Sequence, residues 1–341
     1  MTSRLMRRAL DRSLGQVRYV APVRTPDAGG PVAAVYAQLE RDFGMLAPPI
    51  ALHSPAPGTL AAAWLLLRET LVAGDPAGRP DREAIAIAVS RANSCPYCTT
   101  VHEAALHAQA SRGGAGGPPG GPGRERLAAW AAGTGRRDGE RPPAPFGEDR
   151  YPRYMGVAFT FHYLNRMANV FLAESPVPAE VPAPARRPVL RMVGRAVRGP
   201  AADAEPGAAL GLLPEASLPD DLGWAAGDRA VAGALARAAA AVEAAGRRSV
   251  PEPVRELVAS RLARWDGASP GMGRGWVEDA VRGLPDGQRP AGRLALLTAL
   301  ASYRVGVADV TAYRRTEPAD RALVELTAWA SLTAARRLAR R

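Results

Sequence analysis

The chain has 341 residues and a formal net charge of +11, and 47% of its residues are hydrophobic, as in an ordinary globular protein. Its basic residues are all arginines, scattered without a long basic run or interleaved aromatic residues, so we expect no nucleic-acid partner. Two cysteines are too few to make a disulfide framework for this length. The amino terminus lacks the apolar core of a secretory signal, and no apolar run is long enough to span a membrane. We therefore expect a cytoplasmic protein with no membrane partner.

The spacing of apolar residues predicts α-helices over most of the first half of the chain. The predicted helices cover 32–43, 59–73, 81–92, 95–110, 126–132 and 154–172. The segment 81–92 alternates like a half-buried strand, but its length and its acidic first turn favour a buried helix. A glycine- and proline-rich tract at 113–123 predicts a mobile loop.

A stretch rich in proline and alanine, 173–225, is predicted to link a helical domain at 1–172 to a second one at 226–341. Within this linker one helix is predicted at 189–197. The second domain is predicted to contain helices at 226–245, 251–265, 275–284, 292–313 and 318–340. Because convincing strand pairs and Asn-Gly hairpin turns are missing, the predicted fold class is all-α.

A weak internal repeat relates the two halves. Arg79-Pro80 matches Arg289-Pro290, 210 positions later, and each pair is followed by an apolar helix, a break and another helix. The second copy has Arg293 in place of Glu83 and lacks both cysteines and the histidine. The match is equally compatible with chance similarity between alanine-rich helices. If it is a repeat, the second lobe keeps the scaffold and has lost the chemistry.

The main candidate for a functional site is Cys95-Pro96-Tyr97-Cys98, with His102 four positions after the second cysteine. On a helix the two thiols and the imidazole share one face. Ser94 is predicted to cap this helix, so both sulfurs would lie in its first turn, where the backbone N–H groups and the helix dipole favour a thiolate. A thiol in this position can have its pKa lowered from ~8.5 into roughly the 3.5–7.5 range. The pattern therefore predicts a redox or metal site.

Several interpretations of this pattern compete. Cys-Pro-Tyr-Cys is the active-site tetrapeptide of glutaredoxins, but that fold needs a strand before the motif, and the flanks here are helical. A c-type haem site is disfavoured because Thr99, not histidine, follows Cys98. A zinc site would need a fourth ligand besides Cys95, Cys98 and His102, for which the candidates are His53, His107 and His162. An incidental buried pair of cysteines is the remaining alternative.

With Glu83, twelve residues before Cys95, the pattern becomes E-x11-C-x2-C-x3-H. It resembles the alkylhydroperoxidase D-like branch of the carboxymuconolactone decarboxylase superfamily, which is all-helical. The specific match covers 81–106, and the helical layout from about 32 to 172 is also similar. One departure is Tyr97, where the best-known type has a histidine between the cysteines.

The resemblance implies a thiol-dependent peroxidase that needs no cofactor or metal. Cys98 would be the peroxidatic cysteine, Cys95 the resolving one, and His102 with Glu83 a proton relay. The partners implied are a hydroperoxide, a thiol reductant and further copies of the chain in a homo-oligomer. Lactone decarboxylation is disfavoured because that branch lacks the dithiol. The alternative is a non-enzymatic helical protein in which the dithiol binds zinc or senses redox state.

Some of these residues also have a structural interpretation. Glu83 can be an ordinary acidic residue of a first helical turn, which the helix dipole favours. His162 is expected to pack in the core. The alternative, for His162 and also for Asn165 and Arg166, is that the side chain lines the dithiol pocket. Trp64 and Trp130 are expected in the core.

Overall fold

The structure is a computed structural model that describes residues 14–110, 122–136, 142–178, 180–197, 204–271 and 273–339. Within these ranges every regular element is a helix, and the nearest approach to a sheet is an isolated antiparallel bridge between Val17 and Leu172. The all-α prediction is therefore confirmed. The α-helices are α1 (Gly30–Gln38), α2 (Pro48–Ala51), α3 (Pro57–Leu67), α4 (Arg79–Ala92), α5 (Pro96–Ala110), α6 (Pro122–Gly133), α7 (Tyr151–Phe171), α8 (Ala183–Val197), α9 (Arg229–Ser249), α10 (Glu252–Arg264), α11 (Gly275–Val281), α12 (Arg289–Ala301), α13 (Val307–Arg314) and α14 (Asp320–Ala339).

Helices α3 and α7 occupy the centre of the molecule. Nearly all residues of α7 are buried, and α3 is buried from Thr59 to Leu67. A helix that is apolar on all sides needs neighbours all round it. Accordingly, α7 packs against α4 and α14, and α3 packs against α9. Trp64 and Trp130 are fully buried, as expected from the sequence.

One large cluster of buried apolar side chains extends from Leu14 to Ala339 and includes residues of both halves. The halves are also joined by Arg166 of α7, whose Nε donates to the carbonyl oxygen of Ala299 in α12 at 2.9 Å. The proposed division into two domains at 173–225 stays a prediction.

The proline- and alanine-rich stretch contains a longer helix than predicted, since α8 begins at Ala183. Helix α8 packs along α5, and Gly194 lies against the backbone of Ala104. A Cβ atom at this position would lie 2.2 Å from the carbonyl oxygen of Ala104. The contact between the two helices therefore requires glycine at 194.

The prediction of one helix over 292–313 is wrong. Helix α12 ends at Ala301, a 3₁₀ turn follows at Ser302–Arg304, and α13 begins at Val307. The backbone of Gly306 is extended, and its N–H donates to Asp309 Oδ2 at 2.9 Å, which caps the new helix. The order of α12, break and α13 parallels that of α4, break and α5, but the repeat stays a prediction.

Of the predicted mobile tract, residues 113–121 lie outside the described part of the chain, and the last two belong to α6. None of the described helices combines the length and hydrophobicity that a membrane crossing requires.

Candidate active site

The dithiol lies at a tight turn between α4 and α5. Ser94 adopts a left-handed conformation with φ of 51°, and its N–H donates to the carbonyl of Arg91 at 3.0 Å. The N–H of Cys95 donates to the carbonyl of Ser90 at 2.9 Å. These two bonds satisfy carbonyl groups at the end of α4. Ser94 therefore terminates α4 and does not cap α5, contrary to the sequence prediction.

The turn places Cys95 directly before Pro96, the first residue of α5, and Cys98 in the first turn of that helix. Both cysteines are free thiols and almost completely buried, with 1% of Cys95 and 3% of Cys98 exposed. The side chains of Cys95 and of Asn165 in α7 lie close enough to the Cys98 sulfur to influence the pKa of its thiol.

The electrostatic environment of Cys98 differs from the sequence prediction. The interaction with the neighbouring Cys95 thiol and the burial of the sulfur raise the pKa of the Cys98 thiol well above its ordinary value. The Asn165 side chain and the backbone N–H act in the opposite direction, but they do not outweigh the first two effects. The backbone N–H at the start of the helix lowers the pKa of Cys98, but the adjacent sulfur and burial raise it by more. The pKa of Cys98 is therefore raised overall, contrary to the sequence prediction.

Glu83 and His102 form a direct pair across the turn. His102 Nδ1 lies 2.6 Å from Glu83 Oε2, and the other carboxylate oxygen accepts a 2.7 Å hydrogen bond from Arg79 Nε. The imidazole packs edge-on against Phe161, with ring centroids 4.7 Å apart. Because the carboxylate holds a proton at Nδ1, Nε2 is left as the basic nitrogen of the neutral ring.

Glu83 is fully buried, and burial alone would raise its pKa. The positive charge of Arg79 and the interactions with His102 outweigh burial and lower the pKa to about 2. Glu83 is therefore ionised at neutral pH. The sequence analysis did not identify Arg79, although its position four residues before Glu83 on one helix face is visible in the sequence.

A cavity of about 40 Å³ reaches both Cys98 and His102. Its walls are largely apolar and come from five separate parts of the chain, with Phe43, Ile50, Phe161, Val193 and Val197 among them. Tyr97 also lines the cavity, and burial together with the two sulfurs raises its pKa, so its hydroxyl stays protonated at neutral pH. Cys98 lines this cavity, and Cys95 does not.

The zinc interpretation finds no support among the other histidines described. His53 is fully buried and hydrogen-bonds Tyr163 and a backbone carbonyl, and burial lowers its pKa to about 4. Both ring nitrogens of His162 are hydrogen-bonded, to Asn93 and to Thr134. In the described ranges no group of three or more His, Cys, Asp or Glu side chains is arranged to hold a metal ion.

The four residues singled out from the sequence thus lie together at one site. Cys98 and His102 face a common cavity, Glu83 orients His102, and Cys95 lies against Cys98. Sequence reasoning missed Arg79, Asn93 and the cover formed by α8. It left Asn165 open, because a contact across 72 positions of sequence has no local pattern.

This fold and site define an all-helical protein with a CxxC dithiol beside a Glu–His pair. The model of the carboxymuconolactone decarboxylase family matches residues 58–113, which include Glu83, Cys95, Cys98 and His102. The chain is also 38% identical, over 335 residues and 94% of each chain, to "Alkyl hydroperoxide reductase Rv2159c" of Mycobacterium tuberculosis (strain ATCC 25618 / H37Rv). The chain therefore belongs to the carboxymuconolactone decarboxylase family, and the resemblance to its alkylhydroperoxidase D-like branch is confirmed. No solved structure matches the chain.

Proposed function

We propose that this protein is a thiol-dependent peroxidase that reduces organic hydroperoxides through a cycle of its Cys95–Cys98 dithiol. The observation that carries the proposal is the shared cavity of Cys98 and His102, with Glu83 hydrogen-bonded behind the imidazole. The name of the mycobacterial relative, an alkyl hydroperoxide reductase, supports the same reaction class. The apolar cavity walls suit the carbon side of such a substrate.

In the first step His102 Nε2 removes the proton of the Cys98 thiol, and the resulting thiolate attacks the terminal peroxide oxygen. A sulfur–oxygen bond forms as the O–O bond breaks. The leaving alkoxide takes the proton from His102 and departs as an alcohol. Cys98 is then a sulfenic acid, and the peroxide has been reduced by two electrons.

The base is needed because the pKa of Cys98 is raised, so that little thiolate exists before the substrate arrives. Glu83 stabilises the imidazolium that forms while His102 holds the proton. Its low pKa keeps the carboxylate from taking the proton itself.

In the second step the Cys95 sulfur attacks the Cys98 sulfenic acid, a disulfide forms, and the hydroxyl group leaves as water with the Cys95 proton. The closeness of Cys95 to Cys98 in the reduced protein supports this step. A thiol reductant then returns the disulfide to the dithiol and is itself oxidised.

Intact-protein mass spectrometry after one equivalent of cumene hydroperoxide tests this proposal. The wild-type chain should lose two hydrogens, and it should consume excess hydroperoxide when dithiothreitol is supplied. Cys95→Ser should stop at a sulfenic acid, one oxygen heavier, whereas Cys98→Ser should not react. Unchanged hydroperoxide consumption by Cys98→Ser would show that the role given to this sulfur is wrong.

A further inference from the structure

The cavity beside Cys98 has room for only one end of an organic hydroperoxide. Its volume is about 40 Å³, and no aspartate, glutamate or arginine lines it. A charged group would be costly against these largely apolar walls unless it found a partner there. The peroxide end of a substrate can therefore enter, while any charged group that the substrate carries stays outside.

The part of a substrate that stays outside meets helix α8, because Val193 and Val197 of this helix form one wall of the cavity. Helix α8 contains four arginines and no acidic residue. Its charge is therefore entirely positive, whereas its two valines face the cavity.

Three of these arginines form a row along the helix. Arg187, Arg191 and Arg195 are four residues apart, so their side chains lie on one side of α8. All three are exposed, and none forms an ion pair with a carboxylate in the described part of the chain. Like charges at this spacing destabilise a helix, and an anion bound along the row would relieve their repulsion.

We propose that the arginine row makes the protein selective for hydroperoxides that carry a carboxylate at the far end of an apolar chain, such as those of fatty acids. The peroxide group would enter the cavity, the chain would follow the valines of α8, and the carboxylate would bind Arg191 and Arg195. These arginines are specificity-determining residues that act on binding, not on the chemical step. The inference rests on the proposed function and narrows its substrate class.

The test compares linoleic acid hydroperoxide with its methyl ester, at concentrations below micelle formation and with dithiothreitol as reductant. The two substrates differ only in the charge at the far end. The wild-type protein should have a kcat/KM about fivefold higher for the acid, the effect expected of two exposed charge pairs. The double variant Arg191→Gln/Arg195→Gln should lose this preference through a higher KM for the acid, with kcat unchanged. Added salt should weaken the preference in the wild type.

The matched control is Arg229→Gln/Arg261→Gln, which removes the same charge from α9 and α10. Neither residue lines the cavity. This variant should keep the wild-type preference, which separates binding at α8 from a general attraction of anions to a chain of net charge +11. Equal losses in the two double variants would overturn the proposal. Equal turnover of acid and ester by the wild type would also overturn it and would favour an acidic protein as the partner of the row.

A second measurement needs no peroxidase activity. Oleate should protect Cys98 from iodoacetamide at a lower concentration than methyl oleate does, and Arg191→Gln/Arg195→Gln should abolish this difference. A protein that consumes no cumene hydroperoxide but shows this protection would refute the peroxidase function and leave the carboxylate site intact. A protein that consumes cumene hydroperoxide but protects equally with oleate and methyl oleate would refute the carboxylate site alone.

Discussion

At the scale of single residues, the site combines a group that is ionised with a group whose surroundings oppose ionisation. Glu83 lies between Arg79 and His102 and stays ionised although it is fully buried. Cys98 lies on the next helix, where burial and a second sulfur oppose its ionisation. A charged carboxylate and a largely protonated thiol can therefore exist side by side. In the proposed mechanism, His102 exchanges a proton with the sulfur.

The Glu83 carboxylate should contribute to folding stability in a way that depends on pH. Its pKa of about 2 in the folded protein lies below the ordinary value of 4.5, so ionisation stabilises the fold above that pH. We expect Glu83→Gln to lower the free energy of unfolding at neutral pH by about 3 kcal/mol, because Arg79 then has no carboxylate partner in a buried site. Urea unfolding measures this difference in the free energy of unfolding between the variant and the wild type. The difference should shrink as pH falls from about 4.5 towards about 2.

Glu278→Gln is the matched control for this prediction. Glu278 also forms a short ion pair with an arginine, Arg293, but 49% of its side chain is exposed. Solvent screens such a pair, so the loss should be less than about 1 kcal/mol. Equal losses in the two variants would contradict the role assigned to the buried pair.

At the scale of helices, the site depends on one turn and one covering helix. The left-handed turn at Ser94 ends α4 and starts α5 within three residues, which brings Glu83 of the first helix against His102 of the second. Helix α8 then closes the cavity with Val193 and Val197. The remaining cavity of about 40 Å³ is small, so the proposed binding of an organic hydroperoxide would require this cover to move.

Gly194→Ala should loosen this cover. The added methyl group would lie 2.2 Å from the carbonyl oxygen of Ala104, so α8 must move away from α5. We expect a loss of about 1–3 kcal/mol in the free energy of unfolding. We also expect several-fold faster alkylation of Cys98 at a fixed alkaline pH, measured by mass spectrometry.

Gly58→Ala is the corresponding control, because a Cβ atom at position 58 of α3 would meet no atom within 4 Å. This variant should retain the wild-type alkylation rate and stability or become slightly more stable. If Gly194→Ala alkylates no faster than Gly58→Ala, α8 does not limit access to the sulfur.

At the scale of the whole molecule, the dithiol half depends on the other half for part of its core. Helix α7, which supplies Asn165 and Phe161 to the site, packs on α14 of the second half, and α3 packs on α9. The buried guanidinium of Arg166 is satisfied by the carbonyl of Ala299 in α12. Removing the second half would therefore expose apolar surface and leave Arg166 without this partner.

A chain that ends after residue 225 should consequently fail to reach the native state. We expect it to bind an apolar dye such as ANS and to melt without a cooperative transition, while far-ultraviolet circular dichroism still reports helix. The full-length protein measured in parallel is the control. Cooperative melting of the shortened chain, together with hydroperoxide consumption, would instead support an independent domain at 1–172.

Much of the fold and part of the site could be predicted from the sequence. The helices appear because apolar residues recur at helical spacing, and the boundaries of α4 and α7 are within three residues of the prediction. The break between α12 and α13 was missed because apolar spacing continues through it. Cys98 and His102 could be paired because four residues on a helix bring side chains to one face. Arg79 could have been found by the same spacing.

The sequence by itself determined the helical fold and the grouping of the two thiols with the imidazole, because these depend on spacing along one helix. Only the tertiary structure decided the contact of Glu83 with His102 and the charge state that Cys98 favours. It also decided the covering of the cavity by α8. Burial and the direction of a hydrogen bond depend on which distant segments meet, and no local pattern records that meeting.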